Sequence, residues 1–323
     1  MWAENIIKNC VRVRPGESVL VITDEALNGM STRLVEEALK HAPAEVWTYT
    51  VPQISRPLLG FPPALLNTAA MTDVVLLFHG WLDLENEMRR ALELAQAVKQ
   101  ARRGRMGAGF FITPEILDRE FGADYEAIAM HTERMAAELA DRHEMRLSTP
   151  AGTDLTLSTA AGRSFTDTGL IHRAGQLGSL PGGMCCVAPL ARSASGVVVI
   201  DRALNGVLVP TPLRVTVESG RVVEVRGEGQ AADHLRRLHA DGAGRDQPLL
   251  VTEVGIGMNP HAQLRGNITT DDKVMGMAHV TLGRDANLAC RAFGVPVAAK
   301  GILGAPTLVV DGQTLIARGE HLV

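Results

Sequence analysis

The chain has 323 residues, of which 46% are apolar and 21% charged, and its formal net charge is −4. That composition belongs to an ordinary globular chain with enough apolar residues for a large core, in two domains or one large one. Mild acidity without clustered Lys and Arg excludes a nucleic-acid footprint. The run Arg102-Arg103-Gly104-Arg105 is short and isolated and reads as a solvated helix end and turn. The N-terminal half alternates strand and helix signals. Ser18–Thr23, Glu45–Thr50, Asp73–His79 and Met106–Ile112 are short apolar runs of strand length. Between and after them, helical periodicity covers about Ser31–His41, Leu84–Ala101 and Tyr125–His143. Strands alternating with helices imply a mostly parallel sheet covered on both faces. No Gly-x-Gly-x-x-Gly opens a helix, so a dinucleotide site has no support.

The grammar changes near Leu147. Thr149-Pro-Ala-Gly-Thr-Asp154 opens a stretch rich in Gly, Thr and Val. Short strands are expected at Asp154–Ser158, Gly196–Asp201, Leu213–Glu218 and Arg221–Arg226, the last two joined by the hairpin turn Ser219-Gly220. A short helix at Ala231–His239, strands at Leu249–Gly255 and Ala278–Leu282, and a hairpin around Asp311-Gly312 complete the reading. The fold class is therefore an α/β N-terminal domain, residues 1–146, followed by an α+β site-bearing C-terminal domain, residues 147–323. The four cysteines, Cys10, Cys185, Cys186 and Cys290, form no spaced framework. A reducing cytoplasmic setting is the default. No signal-peptide pattern and no stretch of about 18 apolar residues appears, so no membrane association is expected.

The second half carries an ordered set of motifs. They are Pro150-Ala-Gly-Thr-Asp-Leu155, Gly162-Arg163, Asp167-Thr-Gly169, Leu180-Pro-Gly-Gly183 and Ala188-Pro189. After them come Glu253-Val-Gly-Ile-Gly-Met-Asn-Pro260, Asp271-Asp-Lys273, Gly276-Met-Ala-His-Val280, Pro306-Thr307 and Asp311-Gly312. In the first half, Arg14-Pro-Gly-Glu17 before a strand fits the same pattern. This set resembles the aminopeptidase T family of metallopeptidases and the related 2,5-dihydroxypyridine 5,6-dioxygenases. The resemblance implies a two-domain oligomer with its site in the C-terminal domain. It implies two metal ions in the peptidases and one non-haem iron in the dioxygenases. Of the ligand positions it implies, only Glu253 and His279 are retained. Met184 stands where a Glu is expected, and Ala298 and Lys300 stand for a His-x-Asp pair.

Hard divalent metals take carboxylate and imidazole ligands, and a catalytic site normally keeps at least three from protein. One of each is too few, and a thioether is a poor substitute, so no metal or other cofactor is expected at this degenerate metal site. An ammonium at Lys300 can instead pair with Glu253, orient a carbonyl or act as a base. Glu253, His279 and Lys300 are the candidate catalytic set: Glu253 as acid or base, His279 as second proton carrier and Lys300 as charge stabiliser. The alternative is that Lys300 neutralises Glu253 in a dead site.

Met184, Cys185, His261 and Met277 are candidate substrate-binding residues. Each also has a plain reading, as packing for the sulfur side chains and as turn or surface histidines for His261 and His172. A rebuilt soft-metal site using Cys185, Cys186, His172 and His261, or a Cys185 thiol nucleophile, stays open. His239-Ala240-Asp241-Gly242 spells His-x-Asp-Gly in the wrong place and reads as a helix end. Asp271 and Asp272 could orient His279.

The resulting expectation is a cytoplasmic homo-oligomer acting on a small polar or cyclic metabolite. The first choice of reaction is metal-independent hydrolysis of an amide or lactam-like bond. Two alternatives are a metal-dependent hydrolase or ring-cleaving iron dioxygenase with recruited ligands, and a non-catalytic binding or assembly subunit.

Overall fold

The computed structural model describes residues 2–322 except 42–44, 53–59, 81–83, 161–162, 244–246 and 285–298; the side chains of 84–88 and 243 are also set aside. The described residues form two compact units, Met1–Ala129 with Asp167–Gly182, and Met130–Thr166 with Gly183–Val323.

The chain opens with α1 (Trp2–Asn5), continued by a wider helical turn to Cys10. β1 (Val19–Asp24), α2 (Asn28–His41), β2 (Val46–Val51), α3 (Pro63–Met71), β3 (Val74–Phe78), α4 (Leu84–Ala101) and β4 (Arg105–Gly109) follow. Next come α5 (Pro114–Arg119), α6 (Tyr125–Leu139), β5 (Met145–Ser148), β6 (Asp154–Leu157), β7 (Ser164–Asp167), β8 (Leu177–Ser179) and β9 (Met184–Val187).

The first unit holds a parallel sheet in the order β2-β1-β3-β4-β8. Every residue of β1 and β3 is buried, as expected for strands covered on both faces. Ile6, Ile7 and Cys10 pack into the same core as Val19, Leu76 and Phe78, so the short mixed N-terminus is structural. Arg105 differs from the reading of its basic run as solvated. It is 3% exposed, in β4. Its guanidinium donates to the carbonyls of Val11 and Arg12 and to both carboxylate oxygens of Glu17, at 2.7 to 2.9 Å. A buried guanidinium is tolerated because these acceptors satisfy it.

The second unit continues through β10 (Ser195–Ile200), β11 (Ala203–Leu204), β12 (Val207–Leu208), β13 (Leu213–Glu218), β14 (Arg221–Arg226) and α7 (Gln230–Ala243). The His239–Gly242 tetrapeptide lies inside α7. β15 (Leu250–Gly257), β16 (Met277–Gly283), β17 (Ala299–Gly304), β18 (Thr307–Val310), β19 (Gln313–Ala317) and β20 (Glu320–His321) close the chain. These strands form one large, antiparallel-paired sheet in which β9, β15, β16 and β17 are consecutive neighbours. One face of that four-strand block sends Cys185, Val187, Val254, Ile256, Ala278, Val280, Leu282 and Leu303 into the main apolar core. Side chains alternate along a strand, so the residues between these face the other way. Among the described residues no helix is long and apolar enough to cross a membrane.

Candidate functional site

The candidate site is built on that opposite face. Residues directly opposite in an antiparallel ladder share a face. Glu253 on β15 is opposite Thr281 on β16, and Thr281 is opposite Lys300 on β17. The neighbouring row runs Cys186, Gly255, His279 and Ile302. Met184 sits opposite Gly257, and Met277 opposite Gly304. The sheet register alone therefore brings Glu253, His279 and Lys300 together.

Contacts bear this out. His279 Nε2 is 3.2 Å from Glu253 Oε1, and the Thr281 hydroxyl donates to the same oxygen at 3.2 Å. Lys300 Nζ is 3.8 Å from Glu253 Oε1 and donates to Asp272 Oδ2 at 2.7 Å. Lys273 Nζ takes the other carboxylate oxygen of Asp272 at 2.9 Å. Asp272 and Lys273 arrive on a short 3-10 turn, Asp271–Lys273, just before β16. The cluster thus contains two carboxylates, two ammoniums and one imidazole.

Gly255 makes the imidazole's position possible. A Cβ there would run into His279 Cε1 and Nε2 and come within 2.8 Å of the Cys185 carbonyl oxygen. The ring edge sits against bare backbone, which only glycine provides.

The environment sets the protonation states. Burial pushes the His279 pKa down and the Lys300 ammonium lowers it further, against the pull of Glu253 and Asp272. Its imidazole is therefore biased toward the neutral form. Burial alone would depress Lys300, but the carboxylates of Asp272 and Glu253 more than reverse that and raise it. Burial would likewise raise Asp272, yet Lys273 and Lys300 hold it well below the usual carboxylate range. Asp271 is pushed up to about 6, chiefly by burial, and its carboxylate accepts the backbone N–H groups of Arg265 and Asn267.

The candidate binding residues divide. Met184 shares the site face with Cys186 and packs with Ala188 and Phe165. Met277 is half-buried on the face of His279. Cys185 lies on the opposite face, fully buried in the apolar core, and is not with the trio. The adjacent Cys186 is on the cluster's face, in the same row as His279. His261 is exposed, and its backbone N–H caps onto Asn259 Oδ1. His172 belongs to the first unit and bonds the Asn9 carbonyl at 2.7 Å. Ala298 and Cys290 lie outside the described residues.

The fold and cluster define a class: a unit built on a parallel sheet with helices and a unit built on an antiparallel sheet, one face of which carries the charged, imidazole-bearing cluster. The family model for 2,5-dihydroxypyridine 5,6-dioxygenase (NicX) matches residues 2–283, and the chain belongs to that family. Two solved structures share its fold. 2,5-Dihydroxypyridine dioxygenase from Pseudomonas putida KT2440 is 16% identical with a TM-score of 0.75, covering 100% of this chain and 96% of that one. AmpT from Thermus thermophilus is 18% identical with a TM-score of 0.71, covering 100% and 98%. No curated protein matches the chain.

Membership of a dioxygenase family corrects the expectation of a metal-independent hydrolase. That expectation rested on counting exchanged ligands, and a ligand count does not determine a reaction class. The resemblance to the dioxygenases implies an iron, and the described residues do not fit it as they stand. No group of three or more His, Cys, Asp or Glu among them is arranged to hold a metal. The carboxylates that would contribute are paired with Lys300 and Lys273.

Proposed function

We propose that the chain is a ring-cleaving dioxygenase acting on a hydroxylated nitrogen heteroaromatic of the 2,5-dihydroxypyridine type, at the Glu253–His279–Lys300 cluster. The observation that carries this reading is the family match over residues 2–283. The chemistry of the cluster is consistent with it. A hydroxylated pyridine reacts with dioxygen most readily as its electron-rich oxyanion, so the site must remove a hydroxyl proton and stabilise the charge left behind.

His279, biased toward neutral imidazole by burial, is the acceptor for that proton. Glu253 and Thr281 hold its surroundings, Glu253 Oε1 lying 3.2 Å from the ring nitrogen. Lys300 presents a fixed positive charge to the ring oxyanion. Met184 and Met277 supply polarizable walls for a flat ring. No step is routed through iron, because the described residues do not assemble its ligands.

The test is oxygen uptake with loss of ring absorbance, using 2,5-dihydroxypyridine and freshly supplied Fe²⁺ on purified protein. Uptake of one O₂ per ring is expected, falling at least about 100-fold in His279→Ala. No uptake and no binding of the ring would refute the reading. Binding without uptake would favour a second reading, a non-catalytic binding or assembly member of the family. The mutual neutralisation of Lys300 with Asp272 and Glu253 is the observation on its side.

A further inference from the structure

We propose that Lys300 is a tethered competitor for a divalent cation, its ammonium occupying the place that Glu253, Asp272 and His279 would otherwise offer to a metal ion. The inference concerns cation binding alone and does not rest on the oxygenase reading. Lys300 Nζ lies 2.7 Å from Asp272 Oδ2 and 3.8 Å from Glu253 Oε1, so two carboxylates from different elements converge on one positive centre. His279 Nε2 stands 3.2 Å from that same Glu253 oxygen. Two carboxylates and an imidazole are the donor types that Mn²⁺, Fe²⁺, Co²⁺ and Zn²⁺ accept.

Spacing explains why these donors do not form a metal set as they stand. Ammonium contacts sit near 2.7 to 3.8 Å here, whereas metal–oxygen and metal–nitrogen bonds are about 2.0–2.2 Å. The carboxylates must draw in by roughly 1–2 Å, which the intervening ammonium prevents.

The charges point the same way. Lys273 holds Asp272 Oδ1 at 2.9 Å and stays with it. Asp271 next to it is engaged by backbone N–H groups, Cys186 lies in the row of His279 on the same sheet face, and Thr281 donates to Glu253. With Lys300 present, Glu253 and Asp272 are balanced by two ammoniums. Without its charge, one buried negative charge is left over, and that is costly until a cation arrives. In the wild-type chain a divalent ion enters only by displacing the ammonium.

The experiment uses the full chain and Co²⁺ as the probe, read by equilibrium dialysis and by the visible d–d absorption of the bound ion. Lys300→Ala is expected to bind one equivalent tens- to about 100-fold more tightly than wild type. Lys300→Arg, which keeps the charge, should behave as wild type. Adding Glu253→Gln or Asp272→Asn to Lys300→Ala should abolish the gain and bleach the absorption. Should Lys300→Ala fail to fold, Lys300→Gln keeps a donor toward Asp272 and must show the same gain. Equal affinity in wild type and either neutral variant, or a folded neutral variant that takes up no Co²⁺, would overturn the proposal.

Discussion

Asp272 is the most exacting test of the charge arrangement. Its carboxylate is the shared acceptor of two ammoniums, Lys273 at 2.9 Å and Lys300 at 2.7 Å, and its side chain is 4% exposed. Asp272→Asn keeps the shape but removes the charge and leaves two buried cations facing an amide. Breaking a buried pair from one side costs about 3–5 kcal/mol, because the surviving charge is stranded out of water. Lys300 is 16% exposed and Lys273 4% exposed, so the desolvation part of the loss weighs more on the Lys273 side. Urea denaturation followed by circular dichroism reads it directly.

Two controls make the cause specific. Asp272→Asn combined with Lys273→Met removes one charge of each sign and should recover at least half the loss. The penalty should also depend on pH. The folded carboxyl is held below its ordinary value of 3.8, so its contribution is fully present above that value and is lost as pH falls through the folded one. The gap between wild type and Asp272→Asn should therefore narrow only below about pH 4. A single variant within about 0.5 kcal/mol of wild type at neutral pH would refute the reasoning. So would a double variant no more stable than the single.

Two further outcomes follow from close contacts. Gly255→Ala puts a methyl against the His279 ring. It should cost about 1–3 kcal/mol of stability and break the hydrogen bond to Glu253, measured as a lowered melting temperature with lost oxygen uptake; normal uptake would mean the ring need not lie on bare backbone. Arg105→Met takes the guanidinium from the half-buried Glu17 carboxylate, which keeps Arg14, and removes the donor from the Val11 and Arg12 carbonyls. It should destabilise by about 3–5 kcal/mol in denaturant, and adding Glu17→Gln should return part of that.

Much of the fold was legible because periodicity is a local signal. The buried runs at β1 and β3 are uniformly apolar, and the turns at Ser219-Gly220 and Asp311-Gly312 punctuate their hairpins. What escaped is what pairing decides. β8 is three residues long and becomes the edge of the parallel sheet only through its register with β4. The phase of Met184–Val187 was likewise hidden, since all four residues are buried and the run has no alternation. Only the register with β15 shows that Cys186, not Cys185, faces the cluster. Arg105 read as solvent-facing because a charged run gives no hint of the carbonyls of Val11 and Arg12 that receive it. Glu253 and His279 were visible as motif residues. Lys273 as a partner of Asp272 was not, because a lysine beside two aspartates reads as a solvated loop.

The cluster's charge sum constrains what can bind beside it. Glu253 and Asp272 are balanced by Lys273 and Lys300, and His279 is biased neutral by burial, so the assembly is close to zero before a ligand arrives. A ligand entering as an anion would leave a partly buried site net negative, which is unfavourable without a partner. A neutral hydroxylated ring avoids this by entering with its proton and passing it to His279, where the imidazolium that forms lies against Glu253. Binding should then leave the net charge unchanged while moving one proton within the site. Calorimetry in buffers of different ionisation enthalpy should give the same heat for a neutral ring. A release of protons to buffer would show that the ring binds as its anion without His279 keeping the proton, and that the charge sum has been assigned wrongly.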